Sequence, residues 1–547
     1  MREQLGDHYD VVIVGSGAAG LVGAITAAKL GLSAVIIEKA AVWGGTSSLS
    51  GGAMWIPANH LMAEDGEADS YEEAAAYLKL ALQDAGPATS KERQSAFLQG
   101  APRMLQMVMD QGVALIREPH QPDYLAHLPH ARIGRAVEPA ISDGRKLGEA
   151  LNTLRRYPGD LPAVRLGELA SIGQGLSTLN GVKTMLKVGI RHKAMKLAGK
   201  KPLGMGTALV AELMQVVRRL RVPVILNCRL DDVVLKDNEV AGIVCDPAGS
   251  GRRTISARSV LLSAGGFAHS AQRQALQGTD GSFSLASRDD TGDMLSLART
   301  IGADLELLDS AWWGCAVKYP NGTPGFTVTE RSTPGSIIVN QQGNRFTNEA
   351  QNYNLVGRDI RTYNADPAWL IIDSRHRSTY RFGLMLPGRT PKAMFDLGFF
   401  KKASTIEDLA HACGIDAHGL SQTVKRFGVF ASTGIDQDFH RGENAYEHYW
   451  GDPKWRPNPN LGPIDRPPFL ATRVYAGDTG TRGGFLTDGH GRVLRSGKPV
   501  DGLYATGNCT ASIFGRGDPG PGGTLSPAMA FAFLAVEHLA RSNPTAV

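Results

Sequence analysis

The first residues that could do chemistry form a glycine run near the N-terminus, with Gly15, Gly17 and Gly20 in the spacing G-x-G-x-x-G. Glycines at this spacing let the chain turn tightly and let a pyrophosphate approach the backbone. A helix that opens at the run stabilises the negative charge with its N-terminus. Glu38 stands about 20 residues further on, where an acidic side chain accepts hydrogen bonds from ribose hydroxyls. The spacing predicts a dinucleotide site that disfavours a 2′-phosphate.

Further small-residue segments distinguish a flavin from a nicotinamide dinucleotide. Residues 44–52 form a second loop of glycines and serines, which a plain NAD domain does not need. Residues 262–267 and 502–508 each end a strand in a glycine turn, and residues 522–526 open the last helix, whose N-terminus could stabilise a reduced, anionic flavin. These segments favour non-covalently bound FAD. The residues expected to hold it are Gly15, Gly17, Ala18, Ala19, Gly20, Glu38, Lys39, Gly45, Thr46, Ser47, Ser50, Gly51, Gly52, Val233, Ala264, Gly265, Gly266, Asn508, Gly523, Leu525 and Ser526.

These motifs need particular elements to position them. Residues 9–14 are apolar and β-branched without alternation, which is typical of a buried parallel strand. A small-residue helix and a second strand, at 33–37, complete a βαβ unit. Short strands are predicted between 222 and 263, whereas 118–205 is less regular and rich in proline, glycine and arginine.

Composition and charge exclude several classes of protein. The chain has 547 residues, of which 42% are hydrophobic and 20% charged, as in ordinary soluble enzymes. The net charge of +5 comes without a basic block, which gives nucleic-acid binding little support. The basic patch at 191–201 is interpreted as a solvated or partly amphipathic helix face, with peripheral membrane contact as the alternative. Five cysteines without a C-x-x-C pair, no signal peptide and no apolar run of membrane length predict a cytoplasmic protein without a metal site.

The glycine segments, in this order, resemble the fumarate reductase/succinate dehydrogenase flavoprotein superfamily over nearly the whole chain. Within it, residues 501–508 and 519–524 are most similar to the 3-ketosteroid dehydrogenases. The resemblance implies an α/β Rossmann-like FAD-binding domain that is discontinuous, built from residues 1–275 and 471–547. An inserted α+β catalytic domain, residues 276–470, is expected to cover the flavin.

Two tyrosines match the pattern of this branch. Removing hydrogens next to a ketone requires a donor to the carbonyl and a base, and a buried tyrosine can serve as either. By resemblance Tyr353 would take the proton α to the ketone, and Tyr124 would assist it by hydrogen bonding. Gly522 would offer its backbone N–H to the ketone. The alternative is that both tyrosines are structural.

The chain departs from the branch at the residue that polarises the ketone, because Asp518 stands where the family has a third tyrosine. Asp518 could donate a hydrogen bond only if it were protonated, which burial can bring about. Arg516 is expected to pair with Asp518 or to bind a substrate oxygen, with a loop clamp as the structural alternative. Gln121 replaces a family aromatic and makes the pocket more polar. Trp312 is grouped with the substrate pocket, although core packing is the default interpretation of it and the lining of a hydrophobic substrate channel is the alternative.

The resemblance implies an FAD-dependent dehydrogenase that introduces a C=C bond α,β to a cyclic ketone, with a 3-ketosteroid of Δ1 type as the leading substrate. Asp518 and Gln121 would suit a smaller ketone of cyclohexanone type better. A fumarate-reductase-like ene-reductase and a non-enzymatic flavin sensor remain further alternatives. No nicotinamide site is evident, which favours a quinone or an electron-transfer protein as the acceptor.

Overall fold

The computed structural model describes residues 5–82, 85–157 and 162–542. Its strands are β1 (His8–Val14), β2 (Ala34–Glu38), β3 (Met54–Trp55), β4 (Leu115–Glu118), β5 (Ala136–Pro139), β6 (Ser142–Asp143), β7 (Pro202–Leu203), β8 (Val224–Leu226), β9 (Cys228–Lys236), β10 (Glu239–Pro247), β11 (Arg253–Leu262), β12 (Leu305–Glu306), β13 (Ala311–Lys318), β14 (Pro324–Phe326), β15 (Ser336–Val339), β16 (Ala368–Ile372), β17 (Lys401–Ala403), β18 (Phe469–Thr481), β19 (Gly484–Phe485), β20 (Arg492–Arg495) and β21 (Lys498–Ala505). Its α-helices are α1 (Ala18–Lys29), α2 (His60–Glu64), α3 (Tyr71–Ala81), α4 (Lys91–Asp110), α5 (Glu168–Gly173), α6 (Leu179–Leu197), α7 (Met205–Arg219), α8 (Arg273–Gln277), α9 (Asp293–Ile301), α10 (Thr329–Ser332), α11 (Tyr353–Thr362), α12 (Ser374–Thr379), α13 (Ala393–Asp396), α14 (Ile406–Cys413), α15 (Ala417–Thr433), α16 (Ala445–Trp450) and α17 (Leu525–Arg541).

The larger sheet has eight strands and is mixed. Strands β21, β11, β1, β2 and β8 run parallel in that order, and β10 with β9 forms an antiparallel hairpin beside β11. Val260 of β11 lies opposite Leu503 of β21. Both ends of the chain therefore build one sheet.

Strand β1 is buried on both faces, which explains why its sequence is apolar without alternation. Val11 and Ile13 pack under helices α1, α4, α7 and α17, whereas Val12 and Val14 pack against the β9–β11 side of the sheet. Helix α1 begins within the glycine run, directly after Gly17, so that the loop between β1 and α1 lies at the carboxyl edge of the parallel strands. Ligands of open α/β sheets bind at this edge.

A second sheet of six antiparallel strands has the order β14-β13-β18-β16-β15, with β17 paired to β18. Helix α11 lies against β13, where a Cβ on Gly357 would come within 2.3 Å of the backbone of Gly314. Strand β18 continues to Thr481, so this sheet extends past the boundary expected at residue 470. The expected boundary was placed too early because β18 is a continuous, mostly buried strand that pairs with both β13 and β16.

Helix α6 was predicted only at its C-terminal end, where the basic patch at 191–201 was interpreted as a helix face. It occupies nineteen residues of the segment expected to be irregular, and only Gly181 and Val188 among them are fully buried. So little of α6 is buried that its sequence lacks a wide apolar face on the core side. None of the helices among the described residues is both long enough and apolar enough to cross a bilayer.

Candidate active site

One cavity of about 1190 Å³ connects the glycine loop to the second sheet. At one end it is lined by the β1–α1 loop and the end of β2, and at the other by aromatic side chains that include Tyr124 and Tyr353. Pockets for a single small molecule have about 300–1,000 Å³. The cavity therefore has room for a dinucleotide and a second molecule.

The glycine loop is shaped by backbone contacts that only glycine permits. Gly15 has a φ of +102°, and a Cβ there would lie 2.5 Å from the carbonyl oxygen of Ser263. A Cβ on Gly20 would lie 2.0 Å from the carbonyl oxygen of Gly15, so α1 packs directly on the loop. Gly17 caps α1 without a side-chain hydrogen bond. The first turn of α1 thus presents backbone N–H groups at the cavity, which suits a pyrophosphate.

Glu38 lies at the end of β2 and lines the same end of the cavity. Its Oε2 accepts hydrogen bonds from the backbone N–H of Ser16 at 3.1 Å and from the Ser16 hydroxyl at 2.7 Å. Its Oε1 accepts from the Ala40 N–H at 3.0 Å. The carboxylate is therefore held in place beside the glycine loop, where ribose hydroxyls can reach its remaining acceptor positions.

Most of the residues expected to hold FAD line the cavity: Gly15, Gly17, Ala19, Glu38, Lys39, Gly45, Thr46, Ser47, Ser50, Gly51, Gly52, Ala264, Gly265, Asn508 and Leu525. Ala18, Gly20, Gly266, Gly523 and Ser526 lie in the layer behind its wall. Val233 is not at the cavity, because it points into the core beneath β10, paired with Ile243. The glycines behind the wall serve close backbone packing, since a Cβ on Gly266 would come within 2.1 Å of the Thr481 hydroxyl.

Asp290 is a cavity residue that the sequence analysis missed. It accepts a hydrogen bond from the Thr46 hydroxyl at 3.0 Å, and a Cβ on Gly265 would lie 2.5 Å from its Oδ1. Burial raises the pKa of Asp290 to about 7, and the hydrogen bond from Thr46 and the charge of Lys39 offset part of that rise. With this polar lining between two helix N-termini, those of α1 and α17, the residues present fit FAD.

Replacing Glu38 by glutamine should raise the Kd for FAD about tenfold. A hydrogen bond to a charged acceptor contributes about 1.4 kcal/mol more than a neutral one, and that difference corresponds to roughly a tenfold change in Kd. Titration of the apoprotein with FAD, followed by quenching of flavin fluorescence, measures the effect. Glu64→Gln, at an exposed glutamate on α2, is the matched control. An unchanged Kd in Glu38→Gln would place the ribose contact elsewhere.

Three tyrosines meet at the other end of the cavity. The Tyr124 ring lies edge-on to Tyr353, with centroids 5.6 Å apart, and edge-on to Tyr446 at 5.2 Å. Tyr353 is the first residue of α11, whose N-terminus is capped by Asn352, and the backbone N–H of Tyr124 donates to the carbonyl of Pro519 at 3.0 Å. The positive end of the α11 dipole therefore lies beside Tyr353, where it stabilises negative charge.

The hydroxyl groups of the two expected catalytic tyrosines interact. Burial raises the pKa of Tyr353 well above its ordinary value, the charge of Asp518 raises it further, and the hydrogen bond from Tyr124 lowers it. Burial and the neighbouring Tyr353 raise the pKa of Tyr124 as well. A neutral tyrosine in this position can take up a proton only if it passes its own phenolic proton to a nearby acceptor.

Asp518 is buried behind the tyrosines, and its Oδ1 lies 2.9 Å from where a Cβ of Gly523 would stand. Within the described residues, neither of its carboxylate oxygens completes a hydrogen bond of ordinary geometry. Burial raises the pKa of Asp518 to about 7, and the charge of Arg482 and the approach of the Tyr353 hydroxyl offset part of that rise. Asp518 does not itself line the cavity, and Tyr353 is a cavity residue that it approaches.

The expected pairing of Arg516 with Asp518 is wrong. Tight turns at residues 512–517 direct Arg516 outward, where it forms an exposed ion pair with Asp309 at 2.8 Å. The cation near Asp518 is Arg482, which is buried and donates to the carbonyl oxygens of Gly515 and Gly517. Burial lowers the pKa of Arg482 to about 10, and the charge of Asp518 partly restores it.

Trp312 was placed wrongly in the substrate pocket. It is buried in the main hydrophobic cluster, and the Arg482 guanidinium lies 3.6 Å from the centre of its ring. Gln121 does line the cavity, where its Oε1 is buried and has no hydrogen-bond partner among the described residues. Gly522 also lines it, with a φ of +93°, and a Cβ there would lie 2.1 Å from the carbonyl oxygen of Ala53.

Comparison with known proteins gives a consistent result. Residues 10–525 match the family described as FAD binding domain. The chain is 41% identical to the 3-oxosteroid 1-dehydrogenase of Mycolicibacterium smegmatis, over 98% of both chains. It is 34% identical to the 4-oxocyclohexanecarboxylate 2-dehydrogenase of Sinomonas cyclohexanicum, over 97% of this chain and 93% of the relative. A crystal structure of the 3-ketosteroid Δ1-dehydrogenase of Sterolibacterium denitrificans superposes with a TM-score of 0.91 at 36% identity, covering 98% of this chain and 100% of that one.

Proposed function

The chain belongs to the FAD-binding flavoprotein family, in its 3-ketosteroid dehydrogenase branch, and from this premise we propose that it introduces a C=C bond α,β to the ketone of a 3-ketosteroid. It is an FAD-dependent oxidoreductase that acts on a CH–CH group. The observation that carries the choice of substrate is the apolar half of the cavity next to Tyr124 and Tyr353. Leu169, Ile172 and Phe326 line this half and suit a large, rigid, apolar ketone.

In this proposal the residues at the tyrosine end of the cavity have different roles in the reaction. When bound, FAD supplies the two-electron acceptor for the hydrogen that leaves the β-carbon. The Gly522 N–H, which has no hydrogen-bond acceptor among the described residues, donates to the ketone oxygen and stabilises its developing negative charge. Tyr353 takes the α-proton, and Tyr124 donates a hydrogen bond that stabilises the Tyr353 oxygen.

Asp518 completes the base in this proposal, although it stands where the branch has a ketone-polarising tyrosine. As Tyr353 takes the α-proton, it passes its own phenolic proton to Asp518, so that the tyrosine stays neutral. The pKa of Asp518, which burial raises to about 7, makes it a suitable acceptor near neutral pH. The transfer also removes the negative charge that disfavours ionisation of Tyr353.

A smaller cyclic ketone is the second candidate, and Gln121 is the observation that favours it. Its unpartnered, buried Oε1 is a polar feature that a steroid ring does not need. The relative from Sinomonas cyclohexanicum, named for a cyclohexane carboxylate substrate, has 34% identity.

Anaerobic mixing with a panel of ketones should separate the two candidates. We expect a 3-ketosteroid to bleach the flavin absorbance, with a kcat/KM about 100-fold above that of 4-oxocyclohexanecarboxylate, because each apolar group buried in a fitted pocket adds to specificity. The inverse order would support the smaller ketone. Bleaching by neither, with FAD bound, would contradict the dehydrogenase, and reoxidation of the reduced protein by fumarate or enones would favour an ene-reductase.

For reoxidation we propose a quinone or an electron-transfer protein, because no nicotinamide site is evident in the sequence. We also propose a cytoplasmic location. All five cysteines are buried as free thiols, as expected of a reducing compartment.

A further inference from the structure

One wall of the cavity leads away from its tyrosine end. The Tyr353 ring lies 5.7 Å from the Phe326 ring, measured between centroids. Phe326 is the last residue of β14, and a Cβ on the preceding Gly325 would lie 2.8 Å from the Tyr319 ring. A Cβ on Gly383 would lie 2.0 Å from the Tyr319 hydroxyl. The wall therefore runs from Tyr353, past two aromatic side chains, to Gly383.

Arg381 stands at the far end of this wall. Its Nη1 donates to the carbonyl oxygen of Gly383 at 2.8 Å and lies 3.8 Å from Oε1 of Glu330. Glu330 is buried and is held by the backbone N–H groups of Gly383, at 2.9 Å, and Val328, at 3.1 Å. Arg381 and Glu330 both line the cavity. These contacts fix one side of the guanidinium group at the end of the wall.

The rest of the Arg381 guanidinium has donors without a partner. Its Nε is buried and makes no hydrogen bond within the described residues, and its Nη2 makes none with them either. The side chain keeps 18% of its surface exposed. A planar guanidinium offers Nε–H and Nη2–H along one edge, at the spacing of two carboxylate oxygens. Arg381 therefore keeps donors for an acidic group in the cavity.

Arg345 shows what such donors bind in this protein. Its Nε and Nη2 donate to the two oxygens of Glu349 at 2.8 and 2.7 Å, and its Nη2 also donates to Asp436 at 2.7 Å. One guanidinium thus serves two carboxylates. Among the described residues Arg381 has only Glu330, whose carboxylate also accepts from two backbone N–H groups. A second carboxylate at Arg381 would complete the arrangement that Arg345 has.

A ligand that contacts both Tyr353 and Arg381 has to be long. Neighbouring aromatic rings lie about 5–7 Å apart, and the side chains of Phe326 and Tyr319 lie between the two ends of the wall. A single six-membered ring spans one such step. A fused ring system with a side chain spans both, so that its ketone lies at the tyrosine end of the cavity and the tip of its side chain lies at Arg381.

We propose that Arg381 is a specificity-determining residue, which binds a carboxylate that the substrate carries at the end opposite its reacting ketone. The inference rests on the proposed function and narrows its substrate class to 3-ketosteroids with an acidic side chain. With the carboxylate at Arg381, the rings lie along the apolar wall and the ketone reaches the Gly522 N–H. The partial exposure of Arg381 spares this ion pair the full desolvation cost of a buried one.

The rate of flavin reduction by a matched pair of steroids tests the proposal. The pair is 3-oxo-4-cholenoate, a 3-ketosteroid whose side chain ends in a carboxylate, and its methyl ester, which has the same rings without the charge. We expect kcat/KM of the FAD-loaded protein to be about tenfold higher for the carboxylate, the change that one charge-assisted hydrogen bond makes. The difference should lie in KM, because Arg381 is remote from the reacting carbons. Equal values of kcat/KM would overturn the proposal.

Two substitutions test the assignment to Arg381. Arg381→Met should lower kcat/KM for the carboxylate about tenfold more than for the ester. Arg381→Lys, which keeps the charge without the planar pair of donors, should recover part of the preference. The control is Arg389→Met, at an exposed arginine outside the cavity wall, which should keep the full preference. An equal loss for both steroids in Arg381→Met would make Arg381 structural and overturn the proposal.

Equilibrium binding separates this inference from the proposed function. Under anaerobic conditions, a bound steroid is detected by its shift of the flavin spectrum. Binding of the carboxylate that depends on Arg381, without reduction of the flavin by either steroid, would reject the ketosteroid dehydrogenase and leave the carboxylate site. Equal reduction by both steroids would reject the carboxylate site and leave the dehydrogenase. If 4-oxocyclohexanecarboxylate were the better substrate and depended on Arg381, the proposed steroid class would be wrong.

Discussion

Replacing Tyr353 by phenylalanine should lower kcat by about 10²–10⁴-fold, the range that a positioned general base contributes. The reason is local, because the ring stays in the edge-on cluster with Tyr124 while the one oxygen that faces the α-proton is lost. Stopped-flow flavin reduction under anaerobic conditions measures the chemical step directly. The ratio of the oxidised-flavin absorbance, at about 450 nm, to the protein absorbance should stay at the parent value, because the variant still binds FAD.

Tyr446→Phe is the matched control for this experiment. Tyr446 lines the same cavity and is as close to Tyr124 as Tyr353 is, with centroids 5.2 Å apart against 5.6 Å. Tyr446 also lies in the first turn of a helix that is capped by an asparagine, Asn444 of α16. It differs from Tyr353 in its relation to Asp518, whose charge acts on Tyr446 from a distance, whereas the Tyr353 hydroxyl approaches the Asp518 carboxylate. We expect its rate of flavin reduction to stay within a few-fold of the parent. If Tyr446→Phe were inactive while Tyr353→Phe stayed active, the base would be Tyr446 and not Tyr353.

The cofactor end of the site is predictable from sequence because its determinants are local. The turn at Gly15, the helix that follows it and Glu38 at the end of β2 lie within one βαβ unit, and each follows from spacing or backbone sterics. The resemblance implied that the last strand returns to the same sheet, and the structure shows this in the pairing of Val260 with Leu503.

The catalytic end is less predictable because its determinants are distant in sequence. Arg482 reaches Asp518 from the end of β18, and Asp290 meets Thr46 across more than two hundred residues. Neither residue belongs to a motif with a fixed spacing. The expected Arg516–Asp518 pair failed for the opposite reason, since proximity in sequence does not determine which way side chains point from a tight turn.

Asp518→Asn should lower kcat by about 10²-fold or more and should change the pH profile of kcat/KM. In the parent, the carboxylate form of Asp518 is the proton acceptor, so activity should rise with pH through about 7 and level off above it. Asparagine fills the same volume but takes no proton, so the variant should be slow and show no ionisation near pH 7.

The sign of this dependence decides between two roles for Asp518. If the carboxylic acid donated a hydrogen bond to the ketone, activity would fall as pH rises through about 7, and asparagine, itself a donor, would keep most of the rate at high pH. The thermal midpoint supplies a readout that is independent of turnover. Because burial raises the pKa of Asp518 in the folded protein, its contribution to stability is complete below its unfolded pKa and is lost as pH rises through about 7. Above about pH 7, the pKa of the buried acid, Asp518→Asn should therefore have a higher thermal midpoint than the parent. A higher midpoint without the change in the pH profile of kcat/KM would mean that Asp518 has only a structural role.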